Sequence, residues 1–166
     1  MAGFILVLGG ARSGKSEMGE RLVMAHPAPW AYIATAEAHD AEMAERIARH
    51  RARRDRRWQT VEAPLALPEA LRATSAPALV DCLTLWLSNL MAADRPLAAA
   101  EEALLAALAA RTAPAVLIAN EVGLGLVPEN ALGRAFRDAA GLLHQRLAAE
   151  AEAVFFMVAG LPLRVK

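Results

Sequence analysis

Phe4-Ile5-Leu6-Val7-Leu8-Gly9-Gly10-Ala11-Arg12-Ser13-Gly14-Lys15-Ser16 passes from an unbroken apolar run into a glycine-rich turn closed by lysine and serine. Five consecutive apolar residues suit a strand buried on both faces of a parallel sheet. Glycines at 9, 10 and 14 let backbone N–H groups turn inward around a polyphosphate. Lys15 is placed to reach the β- and γ-phosphates, and the Ser16 hydroxyl to ligate Mg2+. A helix opening near Gly14 would add the positive end of its dipole. The chain has 18 basic residues, of which only Lys15 and Lys166 are lysine. A compact, mobile ammonium therefore stands where phosphate chemistry asks for one. The stretch predicts a P-loop nucleotide-binding site.

Working outward, 166 residues suit one domain, 1–166, with a core of its own. Much of the 56% hydrophobic content is alanine, which favours helices packed closely on a sheet. Glu101 and Glu102 interrupt the apolar stretch 98–108, and 154–158 is only strand-sized, so no run is long enough to span a membrane. Formal net charge is zero, which gives no global field for nucleic acid or membrane. The start lacks a secretory pattern, and the single cysteine, Cys82, forms no internal disulfide and fits a reducing compartment. The expected localisation is cytoplasmic. Cys82, in an apolar segment, reads as small core filler.

Strand and helix signals alternate. Strands are expected at 4–8, 30–35, 60–62, 78–82, 115–120, 153–158 and 163–166. Helices are expected at 15–25, 41–57 (with Asp40 as N-cap), 68–73, 83–91, 96–111 and 132–150. This is an α/β pattern: a mainly parallel sheet with helices on both faces. Only Ala159–Pro162 separate the last two strands, too few for a crossover, so an antiparallel edge hairpin is expected. Trp30, Trp58 and Trp86 read as core residues.

In such sheets ligands sit at the carboxyl ends of strands. The residues there are Gly9–Ser16, Thr35-Ala36-Glu37, Asp81, Asn120-Glu121 and Ala159-Gly160. Asp81, ending an apolar strand, is the better candidate for the acid that holds Mg2+, and Glu121 is second. A further cluster lies in 46–57, where seven of twelve residues are arginine and His50 stands among them. On a helix, Arg46, Arg53 and Arg54 share a face with His50. Positive neighbours keep an imidazole neutral, and a neutral imidazole among guanidinium groups can attack phosphorus. On charge alone, a solvated basic helix face is the simpler explanation.

The motifs Gly9–Ser16, Tyr32-Ile33-Ala34-Thr35, Arg46-Ile47 with His50, Asn120-Glu121-Val122-Gly123 and Val127-Pro128-Glu129-Asn130 are similar to those of a known family. So are Glu42-Met43, Trp58 with Glu62, Phe136-Arg137-Asp138 and Gln145-Arg146-Leu147. Along essentially its whole length the chain resembles the bifunctional adenosylcobinamide kinase/adenosylcobinamide-phosphate guanylyltransferases of cobalamin biosynthesis. The resemblance implies a RecA-like P-loop fold and two reactions. A nucleoside triphosphate, ATP or GTP, phosphorylates the aminopropanol hydroxyl of adenosylcobinamide. GMP is then transferred from GTP to that phosphate through a GMP-histidine intermediate, releasing pyrophosphate. The matching histidine is His50. Nucleotide contacts are implied for Gly9, Gly10, Ala11, Arg12, Ser13, Gly14, Lys15, Ser16, Ala34, Thr35, Ala36, Arg51, Ala52, Arg53, Arg54, Glu62 and Asp81, with Ser16 and Asp81 at Mg2+. A homo-oligomer, a homotrimer among relatives, is implied as well.

Two other readings stand beside this one. A P-loop small-molecule kinase would need no histidine intermediate. A nucleic-acid-dependent ATPase core would use the basic segment, although zero net charge and the lack of interleaved aromatics speak against it.

Overall fold

The computed structural model describes residues 3–37, 45 and 55–166. Seven strands form one sheet: β1 (Phe4–Gly9), β2 (Trp30–Ala34), β3 (Trp58–Glu62), β4 (Ala78–Asp81), β5 (Ala115–Asn120), β6 (Ala153–Val158) and β7 (Leu161–Arg164). The helices are α1 (Lys15–Met24), α2 (Leu67–Ala73), α3 (Leu83–Ala92), α4 (Leu97–Ala109) and α5 (Ala131–Glu150). The spatial order is β3-β2-β4-β5-β1-β6-β7, parallel throughout except for β7. One strand, β5, therefore separates β1, which feeds the phosphate loop, from β4, which ends in Asp81. The architecture is the expected P-loop α/β fold.

Alternation along each strand divides the core in two. Leu6, Ile33, Val80 and Leu117 point to the face covered by α2–α5, where Leu71, Trp86, Leu104 and Leu143 complete the larger cluster. Val7, Tyr32, Leu79, Val116 and Ile118 point to the opposite face, where Val23, Met18 and Leu22 of α1 pack with Trp30 and Trp58. Helices thus cover both faces. All three tryptophans are buried, as the sequence suggested.

Most boundaries lie within two residues of expectation, β3 starting at Trp58 rather than 60 and α4 spanning Leu97–Ala109 rather than 96–111. Two regions differ in local structure. The final strand is Leu161–Arg164 rather than 163–166, and its hairpin turn has two residues, Ala159 and Gly160, not four. Both turn residues have positive φ (49° and 82°), the geometry that matches the twist of a two-residue hairpin. Pro162 is accommodated because β7 is an edge strand. The expected helix 41–57 falls largely outside the described residues, but Asp55–Arg57 at its end are not helical. The Asp55 carboxylate instead accepts from the Arg57 backbone N–H (2.9 Å) and guanidinium (3.1 and 2.7 Å). This local turn offers the backbone an alternative to another helical turn. Arg57 then lies over the Trp30 ring, 4.6 Å from its centroid.

Candidate nucleotide site

The site forms where β1 gives way to α1. Gly14, the N-cap of α1, has φ of 91°, a conformation costly for any residue with a side chain. A Cβ there would also stand 3.3 Å from the Gly160 Cα, because the β6–β7 turn leans on the loop. Gly160 N–H donates to the Ser13 carbonyl at 3.1 Å and ties that turn to the loop. The Ser13 hydroxyl is buried without a hydrogen-bond partner among the described residues. A buried, unsatisfied hydroxyl costs stability unless something fills its need. Its place inside the loop fits a bound phosphate.

Lys15 is 8% exposed, and its Nζ donates to the Gly10 carbonyl at 2.6 Å. Burial lowers its pKa below the usual lysine range, against the opposing pull of Asp81. One carbonyl is its single hydrogen-bond acceptor among the described residues, so donors remain for phosphate oxygens. On the next residue the Ser16 hydroxyl donates to Asp81 Oδ2 at 3.0 Å. A hydroxyl beside a carboxylate is a set of hard oxygen donors, which fits Mg2+. Among the described residues no group of three or more His, Cys, Asp or Glu gathers for a metal ion.

The remaining candidates have varied surroundings. Ala11 and Arg12 lie exposed on the rim of the loop, and Gly9 ends β1. Ala34 ends β2, and its carbonyl accepts from Ala63 N–H (2.8 Å). Ala36 is half-buried just beyond, and Glu62 is exposed at the end of β3. Thr35 is fully buried: its hydroxyl donates to the Cys82 carbonyl (2.7 Å) and accepts from Cys82 N–H (2.8 Å). Its own N–H donates to the Asp81 carbonyl at 3.2 Å. Glu121 begins one hydrogen bond from the loop, its N–H donating to the Gly9 carbonyl (3.0 Å). Its carboxylate accepts from Gly123 N–H (2.7 Å) and Leu124 N–H (2.9 Å), bracing the segment that leaves Leu124, Leu126 and Val127 exposed. His50, Arg51, Ala52, Arg53 and Arg54 lie outside the described residues. Burial pushes the Cys82 thiol up, away from the reactive thiolate, consistent with core filler.

A family model, cobinamide kinase / cobinamide phosphate guanyltransferase, matches residues 5–165. The chain belongs to this family. Similar to it is the bifunctional adenosylcobalamin biosynthesis protein CobP of Pseudomonas aeruginosa, 51% identical, the match covering 97% of this chain and 96% of the relative. The bifunctional adenosylcobalamin biosynthesis proteins CobU of Escherichia coli K12 and Salmonella typhimurium LT2 are 39% and 40% identical, with 98% of this chain and 99% of each relative covered. Among solved structures, a prototypical ATPase from the type III secretion system of pathogenic bacteria is similar at a TM-score of 0.57 and 10% identity. That match covers 98% of this chain and 56% of the ATPase, and it speaks for the fold alone.

Within this member of the cobinamide kinase family, several supporting groups escaped the sequence reading. Tyr32 OH donates to Asp81 Oδ2 at 2.8 Å. Asn89 Nδ2 donates to the Thr35 and Pro64 carbonyls (2.8 and 3.0 Å), joining the loops that follow β2 and β3. Thr84 Oγ1 accepts from Asn120 N–H at 2.7 Å. These pairs are 25 to 54 residues apart in sequence, and no local spacing announces them.

Proposed function

We propose that this chain catalyses both reactions of its family on one nucleotide-binding domain: phosphorylation of adenosylcobinamide, then guanylyl transfer to the phosphate so formed. The observation that carries the reading is the Lys15, Ser16 and Asp81 arrangement, with lysine donors uncommitted and a hydroxyl-carboxylate pair beside them. In the kinase step the acceptor hydroxyl oxygen attacks the γ-phosphorus, the bond to the β-phosphate oxygen breaks, and the nucleoside diphosphate leaves. Lys15 and the loop N–H groups hold charge as it shifts toward the leaving oxygens. Ser16 and Asp81 would hold Mg2+, which supplies charge neutralisation of the phosphates when bound. In the second step a His50 nitrogen attacks the α-phosphorus of GTP and pyrophosphate departs. The cobinamide phosphate oxygen then displaces that nitrogen. Arg51, Arg53 and Arg54 beside His50 in sequence supply positive charge for the phosphate oxygens.

The same reading takes ATP or GTP and adenosylcobinamide as partners; zero net charge speaks against nucleic acid. The lone, buried Cys82 supports a cytoplasmic setting. Exposed Leu161, Leu163 and Val165 on the edge strand and just past its end support a homo-oligomer, with a homotrimer implied by resemblance.

Retention of label from α-labelled GTP tests the scheme. Acid-labile label on the wild type that is absent from His50→Ala is the expected result, with part of the kinase activity spared in the variant. Adenosylcobinamide-GDP formation at the normal rate by His50→Ala would rule out the histidine relay and leave the kinase reading.

A further inference from the structure

We infer that Tyr32 is a positioning residue for the carboxylate of Asp81, an inference that rests on the reading of Asp81 as the acid of the cation site. Asp81 stands at the end of β4, where a free carboxylate could rotate among several orientations. Two groups converge on a single oxygen of it: Tyr32 OH at 2.8 Å and Ser16 Oγ at 3.0 Å, both donating to Oδ2. Among the described residues both donors fall on Oδ2, which leaves Oδ1 for the site. Because two donors share Oδ2, rotation of the carboxylate breaks both hydrogen bonds together.

The phenol is held as firmly as the acid it serves. Tyr32 is buried in the middle of β2, and its ring meets Trp58 edge-on with centroids 6.2 Å apart. Trp58 in turn packs against Trp30 at 5.4 Å. Backbone pairing sets Tyr32 opposite Leu79 and Ala34 opposite Asp81, so the ring reaches two residues along the sheet to the acid. Thr35, the residue just after β2, grips Cys82 through both its N–H and its carbonyl. Strand β2 and the residue that follows it therefore fix Asp81 twice: its side chain through Tyr32 and the backbone behind it through Thr35. Loss of a partner that orients a metal-binding group typically costs about 10–100-fold in metal affinity.

Tyr32→Phe removes the hydroxyl and keeps the ring against Trp58. The measurement is Mn2+ binding, followed by electron paramagnetic resonance, to the protein loaded with a non-hydrolysable GTP analogue. We expect Tyr32→Phe to weaken Mn2+ binding by about 10-fold or more. Analogue binding in EDTA should stay within about twofold of wild type, since the loop itself is untouched. Tyr32→3-fluorotyrosine, which keeps the hydroxyl, should bind Mn2+ like the wild type; weakening in both variants would assign the effect to packing and overturn the inference. Asp81→Asn separates the two levels of the argument. If Asp81→Asn loses Mn2+ binding while Tyr32→Phe retains it, only the role of Tyr32 falls. If Asp81→Asn itself binds Mn2+ normally, the reading of Asp81 falls and the inference with it.

Discussion

Lys15 and Arg111 are both buried cations, 8% and 5% exposed, placed at opposite ends of the same sheet. Burial lowers the pKa of each. Their hydrogen bonding differs. At the amino ends of the strands, Arg111 Nε donates to Ala113 carbonyl (3.2 Å), Nη1 to Leu71 and Thr74 (2.6 and 2.7 Å), and Nη2 to Ala76 (2.6 Å). One guanidinium thus ties the end of α2 to the approaches of β4 and β5. At the carboxyl ends, Lys15 satisfies one carbonyl. A buried cation with four of its five N–H donors engaged organises the fold, whereas one with a single acceptor keeps capacity for a ligand and accepts a cost in stability for it. This contrast yields measurable differences.

The largest effect is expected at the arginine end. Arg111→Met leaves four carbonyls without their donors and should lower stability by about 3 kcal/mol or more, since each buried acceptor left unsatisfied costs about 1–3 kcal/mol. Urea denaturation reads the loss, and activity per folded molecule should hold. Arg111→Lys, with three donors on one nitrogen, should recover part of the loss but not all. Equal stability of Arg111→Met and wild type would remove the structural half of the comparison.

Lys15→Met should invert that pattern. Both transfer reactions should fall by about 10²–10³-fold, the usual loss when one stabiliser of developing charge is removed. The unfolding temperature without nucleotide should be unchanged or higher, because desolvation outweighs the attraction of Asp81 for the buried ammonium. Thermal scans with and without GTP separate the two effects: ligand stabilisation should shrink in the variant even where the free protein gains. A variant that lost stability and kept its activity would reverse the assignment of the two cations.

How far each end could be read in advance follows from the range of its interactions. The phosphate loop is a local pattern: glycines, lysine and serine act within eight residues, and the strand-end rule adds Asp81. The Arg111 hub is non-local. In sequence an arginine closing an alanine-rich helix looks like a surface charge, and its partners reach back as far as Leu71. Tyr32 was visible only as part of a family motif, its partner lying 49 residues away. The edge hairpin was foreseen, but its register was not, because Ala159 gives no hint of a positive φ and Pro162 looked like part of the turn. The end of the basic segment failed for a related reason: Asp55 captures Arg57 locally, which helix periodicity does not register.

Between the two cations in behaviour lies His144, half-buried on α5 beside Glu121. Its pKa is lowered by burial, which outweighs the attraction of Glu121. A base whose folded pKa lies below its unfolded value takes up its proton more readily in the unfolded chain. Stability from this group is therefore complete above the unfolded histidine pKa of about 6.5 and declines as pH falls toward the lowered folded value. The slope cannot exceed one proton, about 1.4 kcal/mol per pH unit, so this is the smallest of the effects. Denaturation midpoints of wild type and His144→Gln, compared from pH 7.5 down to 5, should diverge in that window, with the variant showing the flatter profile. If the two profiles stay parallel, burial of His144 costs nothing on protonation. In that case Glu121 offsets the burial of His144, whereas no nearby acid offsets that of Lys15 in full.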